Sequence, residues 1–358
     1  MNNALELARR GEGLVEPNPM VGCVLVLRGR VVGRGWHRRF GGPHAEIEAL
    51  RLAGKAAKGA TAYVTLEPCC HWGKTPPCVD ALIETGVARV VAGATDPNPE
   101  VAGKGFRRLR AAGIETRVGL MRAETTELIA PFARVQCDRR PYFILKWAQS
   151  IDGRIATRSG DSKWISSPAS RREVHELRAR VDAILVGVGT VLADNPDLTA
   201  RLVAPKRVAT RVVLDAGLRT PMKSRLVQTA DAFPTLIVTS IAKCNTAAAR
   251  RLAAKGCMVM GIRHGPRGFD MRALSGLLYA GGMTNVLVEG GGKTLGAFID
   301  AGLADEARIY VAPILIGGRE APAALNALGP FDMASLPNMR VIAVKSSGCD
   351  LCYHVRLT

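Results

Sequence analysis

Apolar and polar positions alternate along the chain in two styles, which together predict strands and helices taking turns. Short apolar runs, Val21-Gly22-Cys23-Val24-Leu25-Val26-Leu27 and Ala62-Tyr63-Val64-Thr65-Leu66, predict strands. A turn at Arg28-Gly29-Arg30 and a second strand, Val31-Val32-Gly33, follow the first of these. Ala45 to Ala53 has helical spacing instead. Thr75-Pro76-Pro77 opens a helix from Cys78 to Thr85, closed by Gly86, with prolines where a helix start tolerates them. Strand Arg89 to Gly93 and helix Gly105 to Ala112 complete an α/β unit.

Cys137-Asp138-Arg139-Arg140-Pro141 reads as a linker, after which the pattern restarts. Strand Tyr142 to Ala148, a turn at Asp152-Gly153 and a helix near Ser170 to Arg180 come first. Strands then follow at Ala183 to Val186, Arg211 to Leu214, Thr235 to Thr239 and Asn285 to Val288. At 358 residues the chain is too long for one ordinary core, so two domains are expected, residues 1–140 and 141–358. Two strands of the second half run into glycine turns, Gly187-Val188-Gly189-Thr190 and Glu289-Gly290-Gly291-Gly292-Lys293-Thr294-Leu295. The second is not a P-loop, because Leu287 stands where that loop needs its first glycine. A strand, glycine turn and helix start still offer backbone amides to an anion, and a phosphate-binding turn is the expectation.

Composition narrows the partners. Hydrophobic residues make up 47% and charged residues 22%, as in a globular protein, and no apolar run is long enough to span a membrane. Without a signal-peptide core at Met1 to Arg10, a cytoplasmic address is expected. Nine cysteines without framework spacing argue against a disulfide scaffold. Cys349 and Cys352, with His354 close by, look like half a metal site, but Cys352, His354 and Leu357 fall in a valine- and leucine-bearing run that reads as a strand. The net charge of +18 raises a nucleic-acid partner. Its distribution argues against one: residues 1–140 carry 21 basic and 14 acidic side chains, and the remaining excess is spread through the second half. An evenly basic surface suits small phosphorylated ligands as well.

The candidate chemistry is concentrated in the 35 residues from His44 to Cys78. Pro43-His44-Ala45-Glu46 is followed by Pro68-Cys69-Cys70-His71-Trp72-Gly73-Lys74-Thr75-Pro76-Pro77-Cys78. A hydrolytic zinc deaminase needs one imidazole, two thiolates and a carboxylate that is not a ligand. Three protein ligands leave zinc a fourth position for water and bring the pKa of that water towards neutrality. His44, Cys69 and Cys78 are the candidate ligands and Glu46 the candidate proton carrier. Both metal fragments are expected at helix N-termini, which favour thiolates. Cys70 points away from its neighbour if the segment is helical. His71 is either a fourth ligand or a group beside the ligands that faces the substrate. The general signature continues P-C-x-x-C, whereas eight residues separate Cys69 from Cys78 here.

That long spacing, with further motifs, resembles the bifunctional deaminase–reductase family of riboflavin biosynthesis over almost the whole chain. In the first half the resemblance rests on Pro17-Asn18-Pro19-Met20-Val21-Gly22, Gly35-Trp36-His37, Gly42-Pro43-His44-Ala45-Glu46, Thr65-Leu66-Glu67-Pro68-Cys69, Thr75-Pro76-Pro77-Cys78 and Asp96-Pro97-Asn98-Pro99. In the second it rests on Leu145-Lys146-Trp147-Ala148-Gln149-Ser150-Ile151-Asp152-Gly153-Arg154, Ser162-Lys163-Trp164-Ile165 and Gly189-Thr190-Val191-Leu192-Ala193-Asp194-Asn195-Pro196.

The resemblance implies an α/β protein with a cytidine-deaminase-like domain followed by a dihydrofolate-reductase-like α/β domain. It implies deamination of a diaminopyrimidinone ribosylamino 5′-phosphate, then reduction of the ribosyl group to ribityl with NADPH. His44, Cys69 and Cys78 would bind Zn2+, Glu46 would shuttle protons and Asn18 would hold the pyrimidine. Ala148, Trp164, Thr190, Asp194 and the turn Gly291, Gly292, Lys293, Thr294, Leu295, Gly296 and Ala297 would contact NADP. Ser162, Arg178, Leu198, Arg201 and Glu289 would contact the substrate. Lys74 stands where the family usually has Arg, and Ala216 where a Ser often serves the cofactor. A homo-oligomer without nucleic-acid or membrane partners is expected. A nucleic-acid base deaminase would predict C-x-x-C spacing and salt-sensitive binding, and a non-catalytic zinc scaffold would not need Glu46.

Overall fold

The computed structural model describes residues 1–329 and 332–357. Thr358, the expected end of the second domain, lies outside the described residues. The chain divides into two compact units, Met1–Arg139 and Arg140–Thr358.

The first unit runs α1 (Asn2–Arg9), β1 (Gly22–Leu27), β2 (Arg30–Trp36), α2 (Ala45–Ala53), β3 (Thr61–Leu66), α3 (Cys78–Thr85), β4 (Arg89–Ala94), α4 (Lys104–Ala111), β5 (Glu115–Val118), α5 (Arg122–Leu128) and α6 (Ala130–Asp138). Its sheet has the order β2-β1-β3-β4-β5, with β1 antiparallel to its neighbours and β3, β4 and β5 parallel. Helices α2, α3 and α4 bury Ala49, Val79, Leu82, Phe106 and Leu109 against Leu25, Val64 and Val90 of the strands. Each of the valine, leucine and phenylalanine side chains among these contributes about 1.5–3 kcal/mol on leaving water. Helix α2 comes unusually close to β2: a Cβ on Gly35 would sit 2.2 Å from the Ala45 carbonyl oxygen. That approach fixes the start of α2, where His44 is the N-cap residue. Gly86 ends α3 in the left-handed region at φ 74.

The expected boundaries hold to within a residue or two for α2, α3, β3, β4 and α4. The linker is shorter than expected, because α6 continues through Cys137 and Asp138.

The second unit runs β6 (Tyr142–Ser150), α7 (Pro168–Arg178), β7 (Ala183–Gly187), α8 (Val188–Asp194), β8 (Thr210–Leu214), α9 (Arg225–Gln228), β9 (Thr235–Ser240), α10 (Ala247–Ala253), β10 (Met258–Ile262), the small hairpin β11 (His264–Gly265) and β12 (Gly268–Phe269), α11 (Met271–Ala280), β13 (Asn285–Val288), α12 (Gly292–Asp300), β14 (Glu306–Ala312), β15 (Met339–Ser347) and β16 (Asp350–Leu357). The large sheet has the order β10-β9-β8-β7-β13-β6-β14-β16-β15. The seven strands from β10 to β14 in that order are parallel, and β16 and β15 close the edge antiparallel. Strands β7 and β13 are buried almost throughout, as parallel strands covered on both faces must be. Cys352 is buried within β16, while Cys349 is exposed in the turn before it, so only the second cysteine of the terminal C-x-x-C run belongs to the packed strand. Helix α7 starts two residues earlier than expected because Ser167 accepts a hydrogen bond from the Ser170 N–H and caps it.

All seven parallel strands end at one edge of this sheet, where an open α/β sheet binds its ligands. Both glycine turns lie on that edge.

Candidate active sites

In the first unit, the His44 Nδ1 lies 3.3 Å from the Cys78 Sγ and 3.5 Å from the Cys69 Sγ. The three donors fall within 4.8 Å of one another. An imidazole and two thiols without a fourth protein donor are the donor set of a catalytic zinc site. Cys70 and His71 are not in the cluster: Cys70 packs towards the core, and His71 is exposed on the wall of the cavity beside it. Residues 67–77 form a loop, so the helical condition under which Cys70 was expected to point away from Cys69 is not met. Cys69 still gains from a helix start, because the Cys78 N–H at the head of α3 donates to its sulfur at 3.3 Å. The Cys78 thiol, then His44 and that N–H, pull the Cys69 thiol down to about 4. Its neighbour moves the other way, with the Cys69 sulfur and burial pushing Cys78 up.

Glu46, in the first turn of α2, is 3% exposed and lines the same cavity of about 250 Å³. Burial, and then the Cys69 charge, push its carboxyl up to about 7. A divalent cation on the three ligands offsets the thiolate charge and returns Glu46 towards the carboxylate form.

Two residues without an expected role shape this cavity. His37 is buried, with Nδ1 3.0 Å from the Pro43 carbonyl oxygen and Nε2 3.1 Å from the Asn18 Nδ2. A carbonyl only accepts, so Nδ1 carries the proton and Nε2 accepts from the Asn18 amide. That contact turns the Asn18 carbonyl away from His37. Glu67 is buried and accepts from the N–H groups of Asp96 (3.3 Å), Gly103 (2.9 Å), Gly105 (2.9 Å) and Phe106 (3.3 Å). One carboxylate thereby ties the 96–103 loop to the start of α4. Gly105 has to be glycine here, since a Cβ would lie 2.3 Å from the Pro68 carbonyl oxygen. Gly105→Ala is expected to cost about 1–3 kcal/mol, read as a lower denaturant midpoint. An unchanged midpoint would show that the loop yields freely.

At the cavity mouth, the Lys74 ammonium sits 3.9 Å from the centre of the Phe40 ring. Asp96 and Asn98 line the wall, and burial holds the Asp96 carboxyl up at about 6.

In the second unit, Glu289 follows β13 and accepts from Arg178 twice, Nε to Oε1 at 2.6 Å and Nη2 to Oε2 at 2.8 Å. Lys146 on β6, a residue without an expected role, brings its Nζ to 3.9 Å from the same carboxylate. Burial works against the Glu289 charge, but Arg178 and then Lys146 overcome it and hold the group at about 2. Burial lowers Lys146, opposed by Glu289. The Arg178 Nη1 reaches the Thr199 carbonyl at 3.4 Å, and the Arg201 N–H donates to the His175 Nδ1 at 2.9 Å. Burial, then Arg178 and Arg201, push His175 down to about 4.

Arg178, Leu198, Arg201 and Glu289 therefore belong to one neighbourhood. Leu198 is buried at φ 51, an uncommon conformation for leucine. The Arg201 guanidinium turns outward to Asp197 at 2.7 Å. Ser162 is half-buried.

The expected cofactor residues gather around the two glycine turns. A Cβ on Gly291 would meet only the Thr190 Oγ1, at 3.9 Å, so both face open space. Thr294 of α12 packs against Gly187 and Gly290, where a Cβ would lie 2.6 and 2.5 Å away, respectively. Gly296 lets α12 seat against the Asn326 carbonyl oxygen, 2.4 Å from a would-be Cβ. Asp194 pairs with Lys163 at 3.3 Å, and the exposed Trp164 ring lies 4.5 Å from the Arg171 guanidinium. Ala148 is half-buried on β6. Free amides at the α12 N-terminus beside an open space fit the phosphates of a dinucleotide.

Comparison with known proteins agrees with both halves. Residues 1–94 match the cytidine and deoxycytidylate deaminase zinc-binding region, and residues 141–353 match the RibD C-terminal domain. The riboflavin biosynthesis protein RibD of Bacillus amyloliquefaciens is 43% identical over 98% of this chain and 94% of its own. The chain belongs to the RibD family. The Escherichia coli RibD protein is 42% identical over 99% of this chain and 98% of its own. A crystal structure from Thermotoga maritima, described as a diaminohydroxyphosphoribosylaminopyrimidine deaminase/5-amino-6-(5-phosphoribosylamino)uracil reductase, is 36% identical. It covers all of this chain and 97% of its own, with a TM-score of 0.86. As a RibD family member the chain is a bifunctional deaminase and reductase of riboflavin biosynthesis, with zinc and NADPH as cofactors. No helix among the described residues is long and apolar enough to cross a membrane.

Proposed function

We propose that the first unit hydrolyses the amine from 2,5-diamino-6-ribosylamino-4(3H)-pyrimidinone 5′-phosphate. The second then reduces the ribosyl group of 5-amino-6-(5-phosphoribosylamino)uracil to ribityl. The observation that carries this reading is the meeting of His44, Cys69 and Cys78 within 4.8 Å beside the buried Glu46.

In the deaminase half His44, Cys69 and Cys78 would hold zinc, which would lower the pKa of a water. Glu46 accepts that water's proton as the oxygen adds to the amine-bearing carbon, then returns it to the departing nitrogen, which leaves as ammonia. Asn18, its amide fixed by His37, bonds the edge of the pyrimidine. Lys74 faces the phosphate at the mouth as a point charge, where an arginine would grip with two bonds.

In the reductase half the turn Gly291 to Ala297, with Ala148, Trp164, Thr190 and Asp194, would hold NADPH, which would supply a hydride. Reduction of the ribosyl carbon bonded to nitrogen releases the ring oxygen from that carbon, and that oxygen needs a proton. Lys146 is the buried ammonium positioned to give it, with Glu289 holding its charge. Ser162, Arg178, Leu198 and Arg201 shape the substrate side.

Removing Arg178 leaves Glu289 buried without its two-point partner. Arg178→Ala is therefore expected to destabilise the second unit by about 3–5 kcal/mol and to slow reduction. Denaturant titration and NADPH oxidation check both, and wild-type values for each would take Arg178 out of the site.

The reading requires no nucleic-acid partner, since a basic surface of +18 also suits anionic substrates and cofactors. A cytoplasmic homo-oligomer is part of the same proposal, and a monomer in sedimentation analysis would contradict it. The chemistry is tested by incubating the protein with the diaminopyrimidine phosphate and NADPH and analysing the product by mass spectrometry. A deaminated ribityl compound is expected. A product that retains the amine would contradict the assignment.

A further inference from the structure

We infer that His175, in the last turn of α7, is a positioning residue of the reductase site, whose ring holds the loop 195–201 against α7 through the Arg201 N–H. The inference rests on the proposed reading that gives Leu198 and Arg201 of this loop to the substrate.

The loop is anchored differently at its two ends. Its first half is tied to α9 and β8. The Arg225 N–H donates to the Asn195 Oδ1 at 2.8 Å, and the Arg225 Nη1 lies 3.2 Å from the Asp197 Oδ2. The buried Arg211 reaches the Asp197 carbonyl at 3.4 Å. Beyond Asp197 the support changes. Residues 198–202 make no backbone–backbone hydrogen bond among the described residues, and Leu198 takes its left-handed conformation there.

Helix α7 carries this second half. The Arg178 Nη1 reaches the Thr199 carbonyl at 3.4 Å, a long contact from a guanidinium already committed to Glu289. The His175 Nδ1 accepts from the Arg201 N–H at 2.9 Å, and that is the closer hold. His175 is buried and its bond goes to loop backbone, so it acts on the substrate through Leu198 and Arg201.

The position requires an acceptor. A backbone N–H only donates, so the Nδ1 that meets it carries no proton and the neutral ring keeps its proton on Nε2. An imidazolium would have no lone pair to offer. Burial, then Arg178 on the same helix and Arg201 on the loop, favour the neutral ring, against Glu289 and the Thr199 carbonyl, which favour a second proton. The two arginines of the substrate side thus keep the ring able to accept. With the Arg201 N–H fixed, the loop is ordered before substrate arrives, and binding does not have to supply that order. The glycine turns that would hold NADPH lie on other elements and do not depend on this bond.

The test compares two amides at position 175 in steady-state reduction of the aminouracil phosphate by the full chain. His175→Asn sets its side-chain oxygen where Nδ1 stood, whereas His175→Gln carries its oxygen out to the place of Nε2. His175→Gln should raise KM for the aminouracil phosphate by about three- to tenfold, the size of one neutral hydrogen bond, and leave KM for NADPH within about twofold. His175→Asn should stay within about twofold of wild type for both. Arg201→Ala, run beside them, should raise KM for the aminouracil phosphate at least as much as His175→Gln does. A wild-type KM in Arg201→Ala would overturn the reading on which the inference rests. With Arg201→Ala impaired, the inference alone falls if the Asn and Gln variants behave alike, or if KM for NADPH rises in step. Variants that both fail to fold would make His175 a packing residue and overturn it as well.

Discussion

Replacing Glu46 by Gln is expected to lower ammonia release by about 10² to 10⁴ or more, the range for losing a positioned acid–base group. Glutamine fills the same buried space at the start of α2 and cannot carry the proton. The reaction needs two transfers, one from water and one to the leaving amine, and within the described cavity Glu46 is the carboxyl in the first turn of the helix that His44 caps. The His44, Cys69 and Cys78 donors are untouched by the change, so the variant should keep its zinc. Metal analysis beside an ammonia assay checks this. A folded, zinc-loaded Glu46→Gln protein that deaminates normally would remove Glu46 from the chemistry.

Cys69→Ser is expected to lose both the metal and deamination, whereas Cys70→Ser keeps both. Cys69 is the sulfur that meets the His44 ring, the Cys78 thiol and the Cys78 N–H. A serine hydroxyl is a far poorer zinc ligand than a thiolate, and among the described residues the site gathers three protein donors. Cys70 points to the core and lies outside the cluster. Zinc per chain should fall from one to near none in the first variant and stay at one in the second. The reverse pattern would mean that the adjacent sulfurs had been exchanged in the assignment.

The frame of the metal centre is legible in the sequence because local rules fix it. Proline before Cys78, glycine after Thr85 and the periodicity from Ala45 set two helix starts, and the ligands sit on or beside them. Cys69 shows where local rules stop: it lies in a loop and borrows the head of α3 through the Cys78 N–H. His37, Glu67 and Lys146 were visible only as letters within motifs. Their work is done across long sequence separations, to Asn18, to residues 96–106 and to Glu289, and no periodicity reports such contacts. Arg178 was readable as a binding arginine by resemblance, but its two-point grip on Glu289 appears only when α7 and the end of β13 meet. His175 was likewise legible only as a helix position, while its hold on the Arg201 N–H depends on the loop after α8 returning to α7.

The central claim is that two separate constellations act in a fixed order, deamination first and reduction second. Its most direct test follows ammonia and NADPH separately in one wild-type preparation given the diaminopyrimidine phosphate. Without NADPH, ammonia should be released to completion. With NADPH present from the start, oxidation should lag behind ammonia and vanish in Glu46→Gln, then return at the wild-type rate when that variant is given the deaminated aminouracil phosphate. NADPH oxidation that precedes ammonia release, or a Glu46→Gln protein that cannot reduce the deaminated compound, would contradict the account.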